Sequence, residues 1–242
     1  MAVSAQKTRI MAGQFPLSTF ATSVSTDVQR MMLDRTTLAS EAQEYFPGQR
    51  MATLTADSIV DSAITANNYW DTLTSFYEAG STLPLTVSPD GISAGSSCTM
   101  AAGSLSTMAP QTAVADRVTA SLTFTISGGA NPAGKNLVAH EAISTNTTGS
   151  AVDNAAGTSN GGVAHLHVTA ASGTSPTLDT VVEHSTNNST WSTLATFAQA
   201  TNASSQRVVV AAGTTVHRYV RAKSTLAGTN PSFTIAVAFA RS

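Results

Sequence analysis

The sequence predicts a mainly β protein, in which strands flanked by one helix are followed by an all-β sandwich of immunoglobulin-like or jelly-roll-like type. Apolar and hydroxyl residues alternate over residues 117–127, and an apolar stripe with helical spacing occurs at residues 67–80. Short strands separated by turns fill the chain beyond residue 135. We therefore predict two domains, residues 1–135 and residues 136–242.

The composition describes a polar surface that carries few charges. Only 11% of the 242 residues are charged, and the net charge is −2. This balance excludes a basic field that would hold nucleic acid or an acidic membrane. It suits a protein whose faces are covered by copies of itself, although an ordinary β domain can share it. The first 135 residues hold 7 basic and 10 acidic side chains, so the negative charge is concentrated there.

The chain shows no feature of export or membrane insertion. The single Cys98 cannot form an intrachain disulfide, and the first residues lack the apolar core of a signal peptide. No apolar run approaches the roughly 18 residues that a membrane span needs. We expect a protein that is made and folded in the cytosol and contacts no membrane.

Three strands and one helix are predicted in the first half. Strands at residues 49–60 and 82–88 join the one at 117–127, and a turn at 88–91 ends the second of them. The helix begins after an Asn cap, presents an aromatic stripe that includes Trp70 and Tyr77, and ends at Gly80. We expect the stripe to pack on a sheet, with a cofactor pocket as the alternative.

The segment from Ser23 to Gly48 does not resolve into regular elements. It carries mixed charges, a Met pair and few turn residues before its end. A stretch of this length without structure is uncommon in a compact domain unless it has a function, such as holding a neighbouring molecule. Glu41 and Glu44 could form a catalytic pair, but no partner base accompanies them, so we interpret them as solvated or subunit-facing.

At least seven short strands are predicted in the second half, at residues 136–144, 163–170, 178–185, 190–198, 206–212, 216–225 and 232–240. The pair Asn187 and Asn188 predicts a hairpin turn, after which Trp191, Leu194 and Phe197 anchor the returning strand. Trp191 could instead stack on a sugar ring, although a single aromatic side chain makes a poor saccharide platform.

Residues 129–135 match the G-x-x-x-x-G-K spacing of a nucleotide-binding phosphate loop. However, Lys135 is followed by Asn136 instead of the Ser or Thr that holds magnesium, and Pro132 removes one backbone donor. A strand pattern also follows where a helix is needed. We interpret the stretch as a connector between the two domains, with a nucleotide hydrolase that uses Lys135 as the alternative.

Two further patterns are candidate ligand sites. His165 and His167 alternate along one strand, so both rings leave the same face, but no nearby motif supplies the remaining ligands of a zinc site. We expect a surface or interface pair. Arg218, Arg221 and Lys223 form a basic edge that protects an exposed strand or pairs with acidic neighbours. Because no catalytic or cofactor motif occurs, we predict neither catalysis nor a cofactor.

Several stretches of the first half resemble, in their order, the tail tube proteins of long-tailed bacteriophages. They are DRTTLASEAQEYFPGQRMATLTAD, then the aromatic helix, then PLTVSPDG, AAGSLSTMAP and DRVTASLTFTISGG. The second half resembles the β-sandwich domain appended to tail proteins in many such phages, through GGVAHLHVTAASGTSPTLDTVVEHSTNNSTWSTLATF and RYVRAKSTLAGTNPSFTIAVAF. Together the two resemblances cover nearly the whole chain.

The resemblance implies a virion protein, assembled in the host cytoplasm, whose β-barrel or sandwich forms rings, usually hexameric, that stack around a lumen. Long loops bridge successive rings in this family, and the segment from Ser23 to Gly48 is the candidate bridge. Expected partners are further copies of the chain, other tail proteins, and DNA that passes without specific binding. The residues expected at the subunit interface are Asp34, Arg35, Thr36, Thr37, Glu41, Tyr45, Phe46, Pro47 and Gly48.

The same resemblance implies that the appended sandwich projects outward and touches host-surface glycans weakly. The acidic first half suits a lumen in which DNA slides, because like charges prevent tight phosphate contacts. The alternative function is a decoration protein of the capsid or tail, or an adhesion protein for host-surface glycans.

Overall fold

The computed structural model of the protein describes residues 7–38, 41–59, 69–111 and 118–242. These residues form strands, one α-helix and a short 3-10 turn, which confirms the predicted mainly β fold with one helix. The elements are β1 (Arg9–Ala12), β2 (Phe15–Pro16), β3 (Ala21–Asp34), β4 (Tyr45–Ile59), α1 (Tyr69–Ala79), β5 (Thr82–Ser88), β6 (Ser97–Gln111), β7 (Thr119–Ile143), β8 (Thr147–Thr148), β9 (Val152–Asp153), β10 (Gly162–Ser185), β11 (Ser192–Thr196), β12 (Ser204–Val210) and β13 (Tyr219–Arg241).

The chain divides into two compact units. The terminal unit comprises Met1–Thr19, Leu83–Met100 and Asn131–Ser242, and the inserted unit comprises Phe20–Thr82 and Ala101–Ala130. The chain therefore enters and leaves the inserted unit twice. Residue 135, where the sequence predicts a boundary, lies inside β7. The division into domains 1–135 and 136–242 stays a prediction.

The inserted unit contains the strand that alternation predicts most directly. β7 pairs antiparallel with β4, from Ala52 opposite Ile126 to Ile59 opposite Thr119. Successive side chains of a strand point to opposite faces, so the apolar set of 117–127 shares one face. Leu122 and Phe124 on that face are buried, as the alternation predicts.

The helix α1 ends where the sequence predicts. Gly80 has φ +60, its N–H donates to the carbonyl of Tyr77, and the N–H of Ser81 donates to the carbonyl of Phe76. This pair of bonds closes a helix around a left-handed residue, which glycine adopts without a steric cost. Leu73 is buried but Tyr77 is 46% exposed, so the aromatic stripe is less covered than expected. The Asn cap lies outside the described residues.

In the described part of the chain, no helix is both long enough and apolar enough to span a membrane.

The terminal unit is built on two long paired strands. β10 and β13 pair antiparallel from Gly162 opposite Arg241 to Ser185 opposite Tyr219. β11 and β12 pair with β10, while β8, β9 and the second part of β7 pair with β13. Each long strand contains two of the predicted short strands, so the expectation of seven separate strands is wrong in this part. The predicted turn at Asn187 and Asn188 connects β10 to β11.

Two nearly identical tetrapeptides interrupt the long strands at facing positions. Residues 173–176 read Gly-Thr-Ser-Pro in β10, and residues 228–231 read Gly-Thr-Asn-Pro in β13. Thr174 and Thr229 are paired, and the register shifts on either side of that pair. The glycines have φ +119 and +112, and Ser175 and Asn230 have φ +48 and +49. The long pair therefore has a local two-fold symmetry about the Thr174 and Thr229 position.

Residues 128–136 belong to β7, where a phosphate loop would need a loop followed by a helix, so the phosphate-loop alternative is wrong. The stretch runs from the inserted unit, which ends at Ala130, into the terminal unit, and its role as a connector between domains stays a prediction. Lys135 pairs with Phe239 of β13, and the backbone at Gly134 pairs with Ala240. A Cβ atom on Gly134 would lie 2.8 Å from both the carbonyl oxygen and the Sγ atom of Cys98. Gly134 therefore allows two backbone segments to approach closely. Packing explains this glycine of the phosphate-loop spacing without a nucleotide.

Candidate subunit interface

The segment from Ser23 to Gly48, predicted to lack regular structure, contains most of a β-hairpin. β3 and β4 pair antiparallel from Ala21 opposite Ser58 to Asp34 opposite Tyr45. The prediction was wrong because periodicity reports burial of one face, and nearly all of β3 is exposed. A strand that buries neither face carries no alternation for the sequence to show.

The outer part of this hairpin has no third strand. β4 pairs with β7 only from Ala52 to Ile59, so residues 45–51 and their partners in β3 form a two-stranded ribbon. We call residues 29–34 and 45–51 the outer hairpin. An isolated two-stranded hairpin is at best marginally stable in water, and a further strand or packed surface normally supports it.

The outer hairpin carries an unusual amount of exposed apolar surface. Of ten large apolar side chains that are exposed in the described part of the chain, eight lie between residues 28 and 51. They are Val28, Met31, Met32, Leu33, Leu38, Tyr45, Phe46 and Met51. A concentration of exposed apolar side chains on one hairpin is typical of an interaction surface, whereas single exposed apolar residues are ordinary.

The connection between β3 and β4 is held by local polar contacts. The carboxylate of Asp34 accepts the backbone N–H of Thr36 at 2.8 Å, and hydrogen bonds from the Thr36 hydroxyl and then from this N–H lower the pKa of Asp34. Thr36 Oγ1 accepts the N–H of Glu44 at 3.0 Å, and Arg35 Nε lies 3.2 Å from Glu44 Oε2. These contacts connect the end of β3 to the start of β4 across the turn. Glu41 is exposed in this turn.

The predicted residues after the turn lie on β4 beside the Met pair. Tyr45 and Phe46 are 50% and 56% exposed. Phe46 pairs with Leu33 and Pro47 pairs with Met32, next to a register shift between Arg30 and Met32. A Cβ atom on Gly48 would lie 3.0 Å from the carbonyl oxygen of Met31, so this glycine accommodates the shift. The structure thus gathers the nine predicted residues at one hairpin end, but their contact role stays a prediction.

Sequence reasoning missed most of the apolar residues of this surface. Val28, Met31, Met32, Leu33 and Met51 were not among the predicted interface residues. The adjacent Met31, Met32 and Leu33 are the signal that could have found them, because neighbouring strand residues point to opposite faces. Three consecutive apolar residues therefore expose apolar groups on both faces of a strand that is not enclosed.

The inserted unit also presents a polar sheet face. Strand register places Asp27 beside Thr53, and Asp57 beside Ser23 and Ser121, on the face opposite Leu54 and Phe124. Ser23 Oγ donates to Asp57 Oδ2 at 2.6 Å, and hydrogen bonds from Ser23 and Ser121 lower the pKa of Asp57. Hydroxyl groups and two carboxylates share this face of the three strands.

β3 is also an edge strand. Its only partner among the described strands is β4. The backbone N–H and C=O groups on its other side could therefore pair with a strand of another molecule. An unpaired edge is a template for pairing with another chain unless it is blunted. The edge and the exposed apolar groups occur on the same element, so one partner can satisfy both.

The structure places the other candidate residues at separate positions. His165 and His167 are fully buried, so the expected surface pair is wrong, and no group of His, Cys, Asp or Glu in the described ranges is arranged to hold a metal.

Arg221 stacks over Trp191 at 4.0 Å from the ring centre, which covers one face of an indole that is only half-buried.

Two residues of the predicted basic edge, Arg218 and Arg221, form ion pairs with acidic side chains, which is one of the two roles predicted for this edge. Arg218 donates twice to Asp153, at 2.7 and 2.6 Å, and this pair lowers the pKa of Asp153 to about 2. Arg221 donates to Glu183 Oε2 at 2.8 Å.

Comparison with known proteins gives no family assignment. No family model matches the chain, and no curated protein matches it. Among solved structures, the chain is similar to a protein of the virion of a native gene transfer agent, with 12% identity and TM-score 0.42 over 53% of this chain and 97% of that one. It is similar to the Dit protein of SPP1, with 11% identity and TM-score 0.41 over 97% and 99% of the two chains.

A third similar structure is the SPP1 tail tube, with 9% identity and TM-score 0.43 over 52% of this chain and 77% of that one. All three TM-scores lie below 0.5, so these likenesses assign neither a fold family nor a function.

Proposed function

We propose that this protein is a structural subunit of a phage tail, which assembles into rings that stack as the tail tube. The outer hairpin is the observation that carries the proposal. It combines an open strand edge, apolar groups on both faces and polar contacts that connect its two strands at the turn. A soluble chain hides such a surface against another molecule. The resemblance of the sequence to tail tube proteins supports a second copy of the same chain as that molecule.

Closed rings give a physical reason for the open edge of β3. A heterologous contact between identical chains makes a ring when the rotation closes, and every edge inside the ring is then paired. The resemblance favours six subunits and a hairpin that reaches the next ring. In this arrangement Leu33 and Phe46, which are cross-strand partners, share one face that enters the neighbouring subunit.

The proposal is tested by the double substitution Leu33→Ser with Phe46→Ser. Burial of each large apolar side chain contributes about 1.5–3 kcal/mol, so the loss of two weakens association by about 100-fold or more. Sedimentation velocity and negative-stain electron microscopy should show rings or hollow tubes for the wild type. The variant should sediment as a monomer with an unchanged far-ultraviolet circular dichroism spectrum.

Tyr77→Ser is the matched control, because Tyr77 is 46% exposed in the same unit but lies on α1. This control should assemble like the wild type. A wild type that stays monomeric at all concentrations would contradict the proposal, and so would a double variant that still assembles. A monomeric wild type would favour the decoration or adhesion function.

We also propose that the polar face of β3, β4 and β7 lines the lumen. Hydroxyl groups with the carboxylates of Asp27 and Asp57 give DNA no cation to pair with, so the duplex slides. Changing both Asp27 and Asp57 to Lys should make assembled tubes retain double-stranded DNA in cosedimentation at low salt. Asp90→Lys, in an exposed turn of the terminal unit, should leave DNA in the supernatant. Retention equal in both variants would contradict this assignment of the face.

A further inference from the structure

Three segments of the terminal unit meet at two buried histidines. His165 and His167 lie on β10 and are fully buried. Thr86 of β5 places its hydroxyl 3.2 Å from His165 Nδ1 and 2.9 Å from His167 Nε2. His167 Nδ1 lies 2.6 Å from the carbonyl oxygen of Gly13, in the turn between β1 and β2. These contacts join residues that are far apart in the chain.

The donor and acceptor properties of these groups determine which atom carries the proton in each of the three hydrogen bonds. A carbonyl oxygen only accepts, so His167 carries its proton on Nδ1 and donates to Gly13. A neutral ring then offers a lone pair at Nε2, which accepts the hydroxyl proton of Thr86. The Thr86 oxygen in turn accepts a proton from His165 Nδ1. His165 Nε2 is left as a buried lone pair without a hydrogen-bond partner in the protein.

We propose that this chain of groups is an acid-releasable latch, which holds β5 and the β1–β2 turn to β10 while both histidines are neutral and releases them when either ring gains a proton. A second proton, on His165 Nε2, would make this ring a buried cation, and the new N–H would have no acceptor. A second proton on His167 Nε2 would point at the hydroxyl proton of Thr86. The first event leaves a buried charge without a partner, and the second opposes the bond from Thr86 to His167, so each destabilises the latched state relative to the released one.

The charged surroundings also oppose protonation. Burial lowers the pKa of His165 well below its usual value, and the nearby His167 and Arg207 of β12 act in the same direction. Burial lowers the pKa of His167 to about 4, against the bond to Gly13, and His140 of β7 adds to the lowering. His140 in turn faces Arg9 of β1. The charged groups acting on the latch are therefore basic on β1, β7 and β12.

The pH window follows from these directions. In the released state each ring regains its ordinary pKa of about 6.5 and binds a proton that the latched state refuses. The latch is therefore fully effective above pH 6.5 and weakens as the pH falls from 6.5 towards 4. Between pH 7 and pH 5, each histidine that stays neutral in the latched state raises the opening equilibrium by about 20-fold.

Two measurements on the full chain test the latch. Nitrogen NMR of the imidazoles should show both rings neutral and protonated on Nδ1 at pH 7 and still neutral at pH 5. Hydrogen exchange should report opening through the amide of Gly13, which donates to the carbonyl of Pro84 at 2.9 Å. After correction for intrinsic exchange, its protection should fall by about 20-fold or more from pH 7 to pH 5.

The amide of Leu178 is the internal reference, since it donates to the carbonyl of Ala200 at 2.8 Å in the same unit. Gly13 should be less protected than Leu178 at every pH, which is the mark of an opening smaller than global unfolding. Equal protection of the two amides at pH 5 would mean that both exchange through global unfolding and would overturn the latch. A ring protonated on Nε2 at pH 7, or protection at Gly13 that does not depend on pH, would do the same.

Substitutions separate the latch from general packing. His167→Asn keeps a donor for the Gly13 carbonyl and removes one titrating ring, so the pH dependence at Gly13 should fall by about 20-fold. Thr86→Val should increase opening at pH 7, and Thr86→Ser should restore the wild-type value. His184→Gln removes a histidine outside the network and should leave the profile of Gly13 unchanged. A His167→Asn profile identical to the wild type would overturn the proposal.

Discussion

Arg221 makes an ion pair and an aromatic stacking contact with the same guanidinium group. Its guanidinium donates to Glu183 Oε2 and stacks on Trp191 at 4.0 Å from the ring centre. The two charged side chains are only 24% and 12% exposed, so water and salt screen the pair less than a surface pair. A planar guanidinium can make both contacts at once, whereas an ammonium group cannot.

We therefore expect Arg221→Lys to lower the free energy of unfolding by about 1–2 kcal/mol, although the charge is kept. Urea denaturation followed by Trp fluorescence measures this change. Arg207→Lys on the exposed side of β12 is the control and should change stability by less than about 0.5 kcal/mol. Equal effects of the two substitutions would show that the stacked pair contributes nothing specific.

At the scale of elements, the facing tetrapeptides of β10 and β13 let two very long strands change register without separating. A Cβ atom on Gly173 would lie 2.7 Å from the carbonyl oxygen of Asn230, and one on Gly228 would lie 2.6 Å from that of Ser175. Each glycine therefore meets the backbone of the opposite tetrapeptide. Both also have a positive φ, which side chains rarely adopt.

Gly173→Ala and Gly228→Ala should each lower the free energy of unfolding by about 3 kcal/mol, because backbone strain and a collision act together. Gly213→Ala separates the two effects, since Gly213 has φ +90 but no atom within 4 Å of the added Cβ. It should cost about 1 kcal/mol. Chemical denaturation of the three variants measures these values, and equal costs would rule out the collision.

Some of these strands could be predicted from the sequence and others could not, depending on which faces they bury. The strand at 117–127 was predictable because one buried face imposes alternation, and the strand at 82–88 because turn residues follow a short run that is largely buried on both faces. The β3–β4 hairpin was not, because its outer part has no buried face. The long strands were read as pairs of short ones, because Gly-Thr-Ser-Pro and Gly-Thr-Asn-Pro carry turn residues that here form bulges. His165 and His167 were predictable as a same-face pair, but their partners Thr86 and Gly13 come from distant segments.

At the scale of the whole molecule, acidic pH acts on stability in two stages. Histidines with a lowered pKa are His140, His165, His167 and His184. Carboxylates with a lowered pKa are Asp34, Asp57 and Asp153. Neutral histidines stabilise the fold above pH 6.5 and lose this effect as the pH falls, whereas ionised carboxylates lose theirs only below about pH 4.

The free energy of unfolding should therefore fall first between pH 6.5 and pH 4 and again below pH 4. With a pKa of about 4, His167 alone accounts for about 3 kcal/mol of the first stage at most. Urea denaturation at half-unit pH steps measures the profile. His167→Asn should reduce the fall of the first stage by up to about 3 kcal/mol and leave the second stage unchanged. A profile that is flat from pH 7 to pH 4.5 would contradict the prediction.

The hydrogen bond between Gly13 and His167 has a consequence for protein synthesis. The two residues are separated by 154 positions, and a ribosome adding about 5–20 residues per second needs roughly 8 to 30 s to make that length. β1 therefore leaves the ribosome long before its final contact exists. β1 can already pair with β2 and β5 in that interval, but the Gly13 carbonyl lacks its His167 partner until β10 has been made, so the β1–β2 turn stays open to chaperones for those seconds.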